Sequence, residues 1–169
     1  MRLWIAQGFG IGRIPFAPGT FGTILGLLWL ALLVASGHWW GLVGGTVLGF
    51  FISAWLCGYA ERVLGQKDPG SVVLDEIAAL PVCYTSWIAV HAWKTGAFPQ
   101  ISDFCSNRNW LGTLGLFAAF RLFDIWKPCP VRESQNLAGG WGVTTDDFLA
   151  AIYVALASLP IVLWRFSAG

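Results

Sequence analysis

Charged side chains are scarce in this chain. Lysine and arginine number 10 and aspartate and glutamate 9, together 11% of 169 residues. A typical soluble domain carries about 25%. Histidine occurs only twice, and none of the four cysteines, Cys57, Cys83, Cys105 and Cys129, forms a C-x-x-C pair. That set argues against a zinc site. Neither a Gly-x4-Gly-Lys-Ser/Thr loop nor a Cys-x5-Arg thiolate loop occurs, so nucleotide-loop and thiolate-phosphatase chemistry are set aside. Ser36-Gly37-His38 matches a fragment of the histidine-nucleophile lipid phosphatases. No Lys…Arg-Pro element or second motif histidine accompanies it, and it reads as a turn. A net charge of +1 leaves no basic field to recruit nucleic acid. No secretory signal is expected, because only four apolar residues follow Arg2 before Gln7. No C-terminal lipidation motif is expected either.

What is abundant is apolar. Hydrophobic residues make up 56% of the chain, with 11 Trp and 12 Phe, more than a soluble domain of this length has interior to hide. A bilayer solvates that surface. Crossing it takes about 20 mostly apolar residues per helix, and five stretches qualify: 20–36, 39–60, 77–93 (interrupted by Pro81), 110–126 and 148–164. The first and third are short. Trp39, Trp40, Trp93, Trp110, Trp126 and Trp164 fall near the ends, as interfacial aromatics do. The expectation is an all-α fold: one polytopic transmembrane helical bundle over residues 1–169, with four to five membrane segments.

Five crossings place residues 1–19, 61–76 and 121–147 on one side. That side holds Arg2, Arg13, Arg62, Lys67, Arg121, Lys127 and Arg132, against Lys94, Arg108 and Arg165 opposite. The excess assigns the first side to the cytoplasm. Acids divide more sharply, with Asp103 alone on the far side. Because acids contribute little to orientation, their concentration needs a separate cause.

Four polar stretches on that side carry the candidate chemistry. Gly8 to Thr20 is rich in Gly and Pro and enters the first helix, with Thr20 as the expected N-cap. It reads either as a phosphate-approach loop at a helix N-terminus or as a turn that caps the helix. Lys67-Asp68-Pro69 leads to Asp75-Glu76 at the mouth of the third segment, where acids also suit the helix dipole. Adjacent helical positions point about 100° apart, so one of the two, with Asp75 preferred, is expected in a site. Arg121, Asp124 and Lys127 lie roughly along one face if the helix continues to Pro128. Charges at the end of a membrane helix face a polar cavity or one another. Gly139-Gly140-x-Gly142 precedes Asp146 and Asp147, which are expected to open the last helix as caps or ligands. Crowded carboxylates repel unless a cation bridges them, and oxygen ligands favour Mg²⁺ or Mn²⁺.

Together these pieces resemble the phosphatidylglycerophosphatase A family over about residues 8–155. The matching stretches are Gly8-x-Gly10 through Ala17-Pro18-Gly19-Thr20, Lys67-Asp68-Pro69 with Asp75-Glu76, Phe120-Arg121-x-Phe123-Asp124-x-x-Lys127-Pro128-x-Pro130, and Gly139-Gly140-x-Gly142-Val143-x-x-Asp146-Asp147. The third is the most specific. The family more often has Met where Thr144 or Thr145 stands. The resemblance implies Mg²⁺-dependent removal of the terminal phosphate of phosphatidylglycerophosphate, a phospholipid substrate, on the cytoplasmic face of a bacterial inner membrane. Both readings together put metal binding on Asp75, Asp124, Asp146 and Asp147. Glu76 is then a further ligand or general base, and Arg121 and Lys127 are phosphate-neutralising groups. Arg13, Thr20 and Lys67 are secondary phosphate-binding candidates. A phosphoaspartate intermediate is an alternative to attack by water. The competing reading is a small transporter or proton-coupled carrier, which would place ionisable groups near the bilayer midplane.

Overall fold

The computed structural model describes residues 1–167, among which every regular element is helical and no strand occurs. In order these are α1 (Arg2–Ala6), a 3₁₀ turn (Gly8–Arg13), α2 (Pro18–Val34), α3 (Trp39–Leu64), α4 (Leu74–Cys83), α5 (Thr85–Thr95), α6 (Ile101–Cys105), α7 (Trp110–Trp126), α8 (Val131–Ser134) and α9 (Gly140–Ser167). Three stretches are long and apolar enough to cross a membrane alone: Pro18–Ala35, Trp39–Leu64 and Gly140–Ser167.

By length and composition, three single helices qualify rather than four to five, for two local reasons. The third expected segment is split at Tyr84 (φ −93°, ψ −4°) into α4 and α5. Pro81 removes one helical N–H and crowds the carbonyl a turn back. The Tyr84 N–H instead closes a tighter turn onto Pro81 O at 3.2 Å. The fourth, α7, has 17 residues, at the short limit for a span.

Two helix starts also differ from expectation. Ala17 takes a left-handed conformation and Pro18 opens α2, because proline's fixed φ suits the first helical position and its missing N–H is not needed there. Thr20 is therefore not the N-cap; its N–H donates to Ala17 O at 2.9 Å inside the first turn. The last helix begins at Gly140, so Asp146 and Asp147 do not open it but lie two turns in. The early start depends on Gly140, where any Cβ would overlap the backbone of Ala54 and Gly58 in α3. A Ser53–Thr144 hydroxyl contact of 3.0 Å continues this seam.

α4 occupies the middle, packed on α2, α3 and α9. The core gathers Leu80, Tyr84, Ile88, Phe120, Ala150 and Val154. Outward-facing Leu28, Leu32, Val47, Trp55, Leu114 and Ile161 remain exposed on the protein, as lipid-facing residues do. The N-termini of α2, α4 and α9 and the C-termini of α3 and α7 meet at one end of the bundle, which brings the four polar stretches together.

Candidate active site at the polar end of the bundle

A cavity of about 250 Å³ opens there, lined by Asp68, Asp75, Glu76, Asp124, Asp146 and Asp147 together with Lys127, Gly70, Val72, Ile125 and Val143. Four of these carboxylates are buried: Asp75, Asp124, Asp146 and Asp147 are at most 8% exposed.

The local sequence explains how each arrives. Asp75 and Glu76 stand in the first turn of α4, where carboxylates complement the helix dipole. Contrary to the choice of one over the other, both reach the cavity. Glu76 lies under α2 because Gly19 and Gly22 leave room. A Cβ at Gly19 would run into the Glu76 carboxylate and approach Arg121 Nη2 to 2.9 Å, and one at Gly22 would meet Glu76 Oε2 at 2.7 Å. Small residues allow this close helix approach in membrane bundles.

Arg121, Asp124 and Lys127 do not share one face. α7 stops at Trp126, and Lys127 turns into a left-handed conformation (φ 48°) with its N–H on Phe123 O. Pro128 helps to end the helix here, since the residue before a proline is disfavoured in the right-handed helical region. Two ionic groups result. Arg121 Nη1 donates to Asp124 Oδ2 at 2.7 Å and to Glu76 Oε1 at 2.9 Å. Lys127 Nζ donates to Asp146 Oδ2 at 2.5 Å, with Asp68 Oδ2 at 3.9 Å. Burial by itself would lower the Lys127 pKa. Its hydrogen bond to Asp146 and the charges of Asp146, Asp147 and Asp68 outweigh that and raise it, so the ammonium stays charged.

Two site residues escaped the sequence reading. Gln135 Nε2 donates to Asp146 Oδ2 at 2.8 Å and reaches Asp68 Oδ2 at 3.4 Å. It follows α8 in a stretch with no recognisable pattern. Asp68 holds a left-handed backbone (φ 48°), with its N–H on Glu61 Oε1 at 3.0 Å. In the sequence it stands only as part of the polar Lys67-Asp68-Pro69 stretch, with nothing to mark it as a cavity wall. Conversely, the structure does not bring Arg13, Thr20 or Lys67 to this cavity. Arg13 is exposed and donates from Nε to Gln7 Oε1 at 2.8 Å. The Gly8–Arg13 turn braces the next polar stretch through Gln7 Nε2 to Ser71 Oγ at 3.2 Å. Lys67 lines a neighbouring cavity.

Six carboxylates therefore surround two basic side chains. Asp75 and Asp147 have no basic partner among the described residues; Asp75 Oδ1 accepts from the Glu76 N–H, and the Asp147 N–H donates to Asp146 Oδ1. The buried Oδ2 of Asp147 and Oε2 of Glu76 have no hydrogen-bond partner. Among the described residues no three metal-ligating side chains close into a finished cage. A Mg²⁺ site does not require one, since that ion keeps several waters and takes one or two carboxylates plus substrate phosphate. The all-oxygen donor set and the orphaned oxygens fit such an ion.

A helical membrane protein with a buried acidic cavity at one end of its bundle is the class these features define. The match to the family described as Phosphatidylglycerophosphatase A covers residues 4–162, and the chain belongs to that family. It is 36% identical over 165 residues to Phosphatidylglycerophosphatase A of Haemophilus influenzae, covering 95% of this chain and 88% of the relative. It is 31% identical over 153 residues to the Escherichia coli protein of the same name, covering 89% and 77%. A Bacteroides thetaiotaomicron protein carrying the provisional name phosphatidylinositol-3-phosphatase is 37% identical over 153 residues, covering 88% and 86%. No solved structure matches the chain.

Proposed function

We propose that this chain hydrolyses the terminal phosphate monoester of phosphatidylglycerophosphate, with Mg²⁺, at the cytoplasmic face of a bacterial inner membrane, in phosphatidylglycerol synthesis. The observation that carries the reading is the imbalance of six carboxylates against Arg121 and Lys127, with Asp147 Oδ2 buried and unpartnered. The names of the relatives support the lipid class. Phosphatidylglycerophosphate and a phosphoinositide share one chemistry, a monoester on a polyol that is joined to diacylglycerol through a diester.

Asp75 and Asp147 would hold the ion, because Asp124 and Asp146 are already engaged by Arg121 and Lys127. A bound Mg²⁺ would supply polarisation of the phosphoryl group and a lowered pKa for water. Arg121 has Nη2 directed toward Gly19 of α2, beside the cavity-lining Glu76, while Nη1 is anchored by Glu76 and Asp124. That preorganises a planar cation for two phosphate oxygens. Lys127 is steered by Asp146, and Asp146 in turn by Gln135. Glu76, which lines the cavity and has Oε2 free of partners, would accept a proton from an attacking water.

The carrier alternative is not favoured. Asp146 lies about 9 Å from the start of α9 at 1.5 Å per residue, toward one end of a 28-residue helix rather than at its middle. The test is release of inorganic phosphate from phosphatidylglycerophosphate in mixed micelles by purified protein, expected with Mg²⁺ and absent in EDTA. Full turnover without divalent metal would refute the metal mechanism, and no turnover under any condition would refute the function.

A further inference from the structure

A second cavity of about 530 Å³ adjoins the acidic one and shares Asp68 and Val143 with it. We propose that this neighbour, through Arg132 and Lys67, binds the bridging phosphodiester of a lipid headgroup that carries two phosphates, and so sets preference for such lipids over lipids with one. The proposal rests on the phosphatase reading above and deepens it.

The two cavities differ in electrostatic character. The first is acidic and suits a monoester only with a cation present. The second presents Lys67 and Arg132, and among the described residues neither cation is in an ion pair. The acids on this wall are turned to other partners. Asp68 accepts from Gln135 and faces Lys127, while Glu133 lies against the Cys129 thiol. Gln135 stands in the partition, its amide touching carboxylates of the first cavity while it lines the second.

Depth also agrees. The 129–135 segment climbs along α9. Tyr153 Oη donates to Cys129 O at 2.7 Å at its lower end, and Gly142 packs against Gln135 O at its upper end. Arg132 lies between these two contacts, on the short α8 that packs against α9, as Asp146 and Asp147 lie between Gly142 and Tyr153 on α9 itself. A headgroup with its terminal monoester among the carboxylates and its diester at Arg132 lies side by side along the membrane surface, joined through its glycerol across the partition. Phosphatidate, with a single phosphate, fills only the first cavity. Arg gives the diester two parallel charge-assisted hydrogen bonds, and Lys67 adds a point charge.

The experiment measures kcat/KM for phosphatidylglycerophosphate and for phosphatidate, in the same detergent and Mg²⁺, for wild type, Arg132→Ala, Arg132→Lys and the Arg132→Ala/Lys67→Ala pair. Wild type is expected to prefer the two-phosphate lipid. Arg132→Ala is expected to lower that preference about tenfold through KM, the pair further, and Arg132→Lys less. Arg132 is exposed, so its replacement leaves the fold in place. An unchanged preference in both alanine variants, or no preference in wild type, overturns the subsite while leaving the phosphatase reading intact. Failure of wild type to release phosphate from either lipid removes both.

Discussion

Replacing Asp147 and Asp146 by asparagine should move stability in opposite directions, although the residues are neighbours and equally buried. Asp147 is 4% exposed, with Oδ2 unpartnered and no basic group in contact. A buried charge without compensation costs several kcal/mol, part of which is relieved by water or protonation. Neutralising it should stabilise the metal-free protein by about 1–2 kcal/mol, or roughly 2–8 °C in apparent Tm for a chain of this size. Asp146 is 1% exposed and binds Lys127 and Gln135. Removing one partner of a buried pair costs about 3–5 kcal/mol. Lys127 is 23% exposed and retains Asp68 at 3.9 Å, so about 1–2 kcal/mol is expected here, with Tm falling by a similar interval. Mg²⁺ reverses the ranking. At a hundredfold excess over Kd it stabilises the wild type by about 2.7 kcal/mol, roughly 5–11 °C. Asp147→Asn should lose most of that gain, and Asp146→Asn should keep it. The assay is thermal unfolding in detergent, in EDTA and across a Mg²⁺ titration. If both variants shift Tm the same way in EDTA, or if Asp147→Asn keeps the full Mg²⁺ response, the division into paired and metal-holding carboxylates is wrong.

Asp124→Asn should lower kcat about 10³-fold, equivalent to roughly 4 kcal/mol of transition-state stabilisation, because Arg121 loses its 2.7 Å anchor; Asp103→Asn, at the opposite end beside His91, should match wild type, and equal loss in both would refute the assignment. Gly19→Ala should displace Glu76 and Arg121 and reduce phosphate release tenfold or more at a stability cost of about 1–3 kcal/mol, whereas Gly44→Ala, with open space around it, should be active and slightly more stable. In intact cells a membrane-impermeant thiol reagent should label exposed Cys105 and miss exposed Cys129. The Cys129 thiol is raised chiefly by Glu133, so permeabilised controls belong at mildly alkaline pH, and labelling of Cys129 from outside would invert the topology.

The helical class and the convergence of four polar stretches were legible in the sequence, because hydrophobic runs, interfacial Trp and one-sided charge are properties of composition along a line. The motif residues Asp75, Glu76, Asp124, Lys127, Asp146 and Asp147 do line one cavity. What the line did not show was pairing. Lys127 is expected beside Asp124, but the left-handed turn at Lys127, just before Pro128, sends it to Asp146. The pattern predicts a last helix opening at Asp146 and Asp147, but the contact of Gly140 with α3 makes Gly140 the first residue of α9 and puts the aspartates inside the helix. Gln135 belongs to the site only because the 129–135 segment folds back on α9, a tertiary event with no local signature.

That inward position of the two aspartates bears on how the enzyme meets its substrate. Asp146 sits about 9 Å along α9 from its first residue, within a turn of the Ser53–Thr144 contact between α3 and α9. A headgroup can reach this depth while its acyl chains stay among those of the surrounding leaflet, so no lipid has to be lifted out of the membrane. What governs encounter is then the mole fraction of substrate in the plane, and dilution with neutral lipid slows the reaction even when the total amount in the vessel is unchanged.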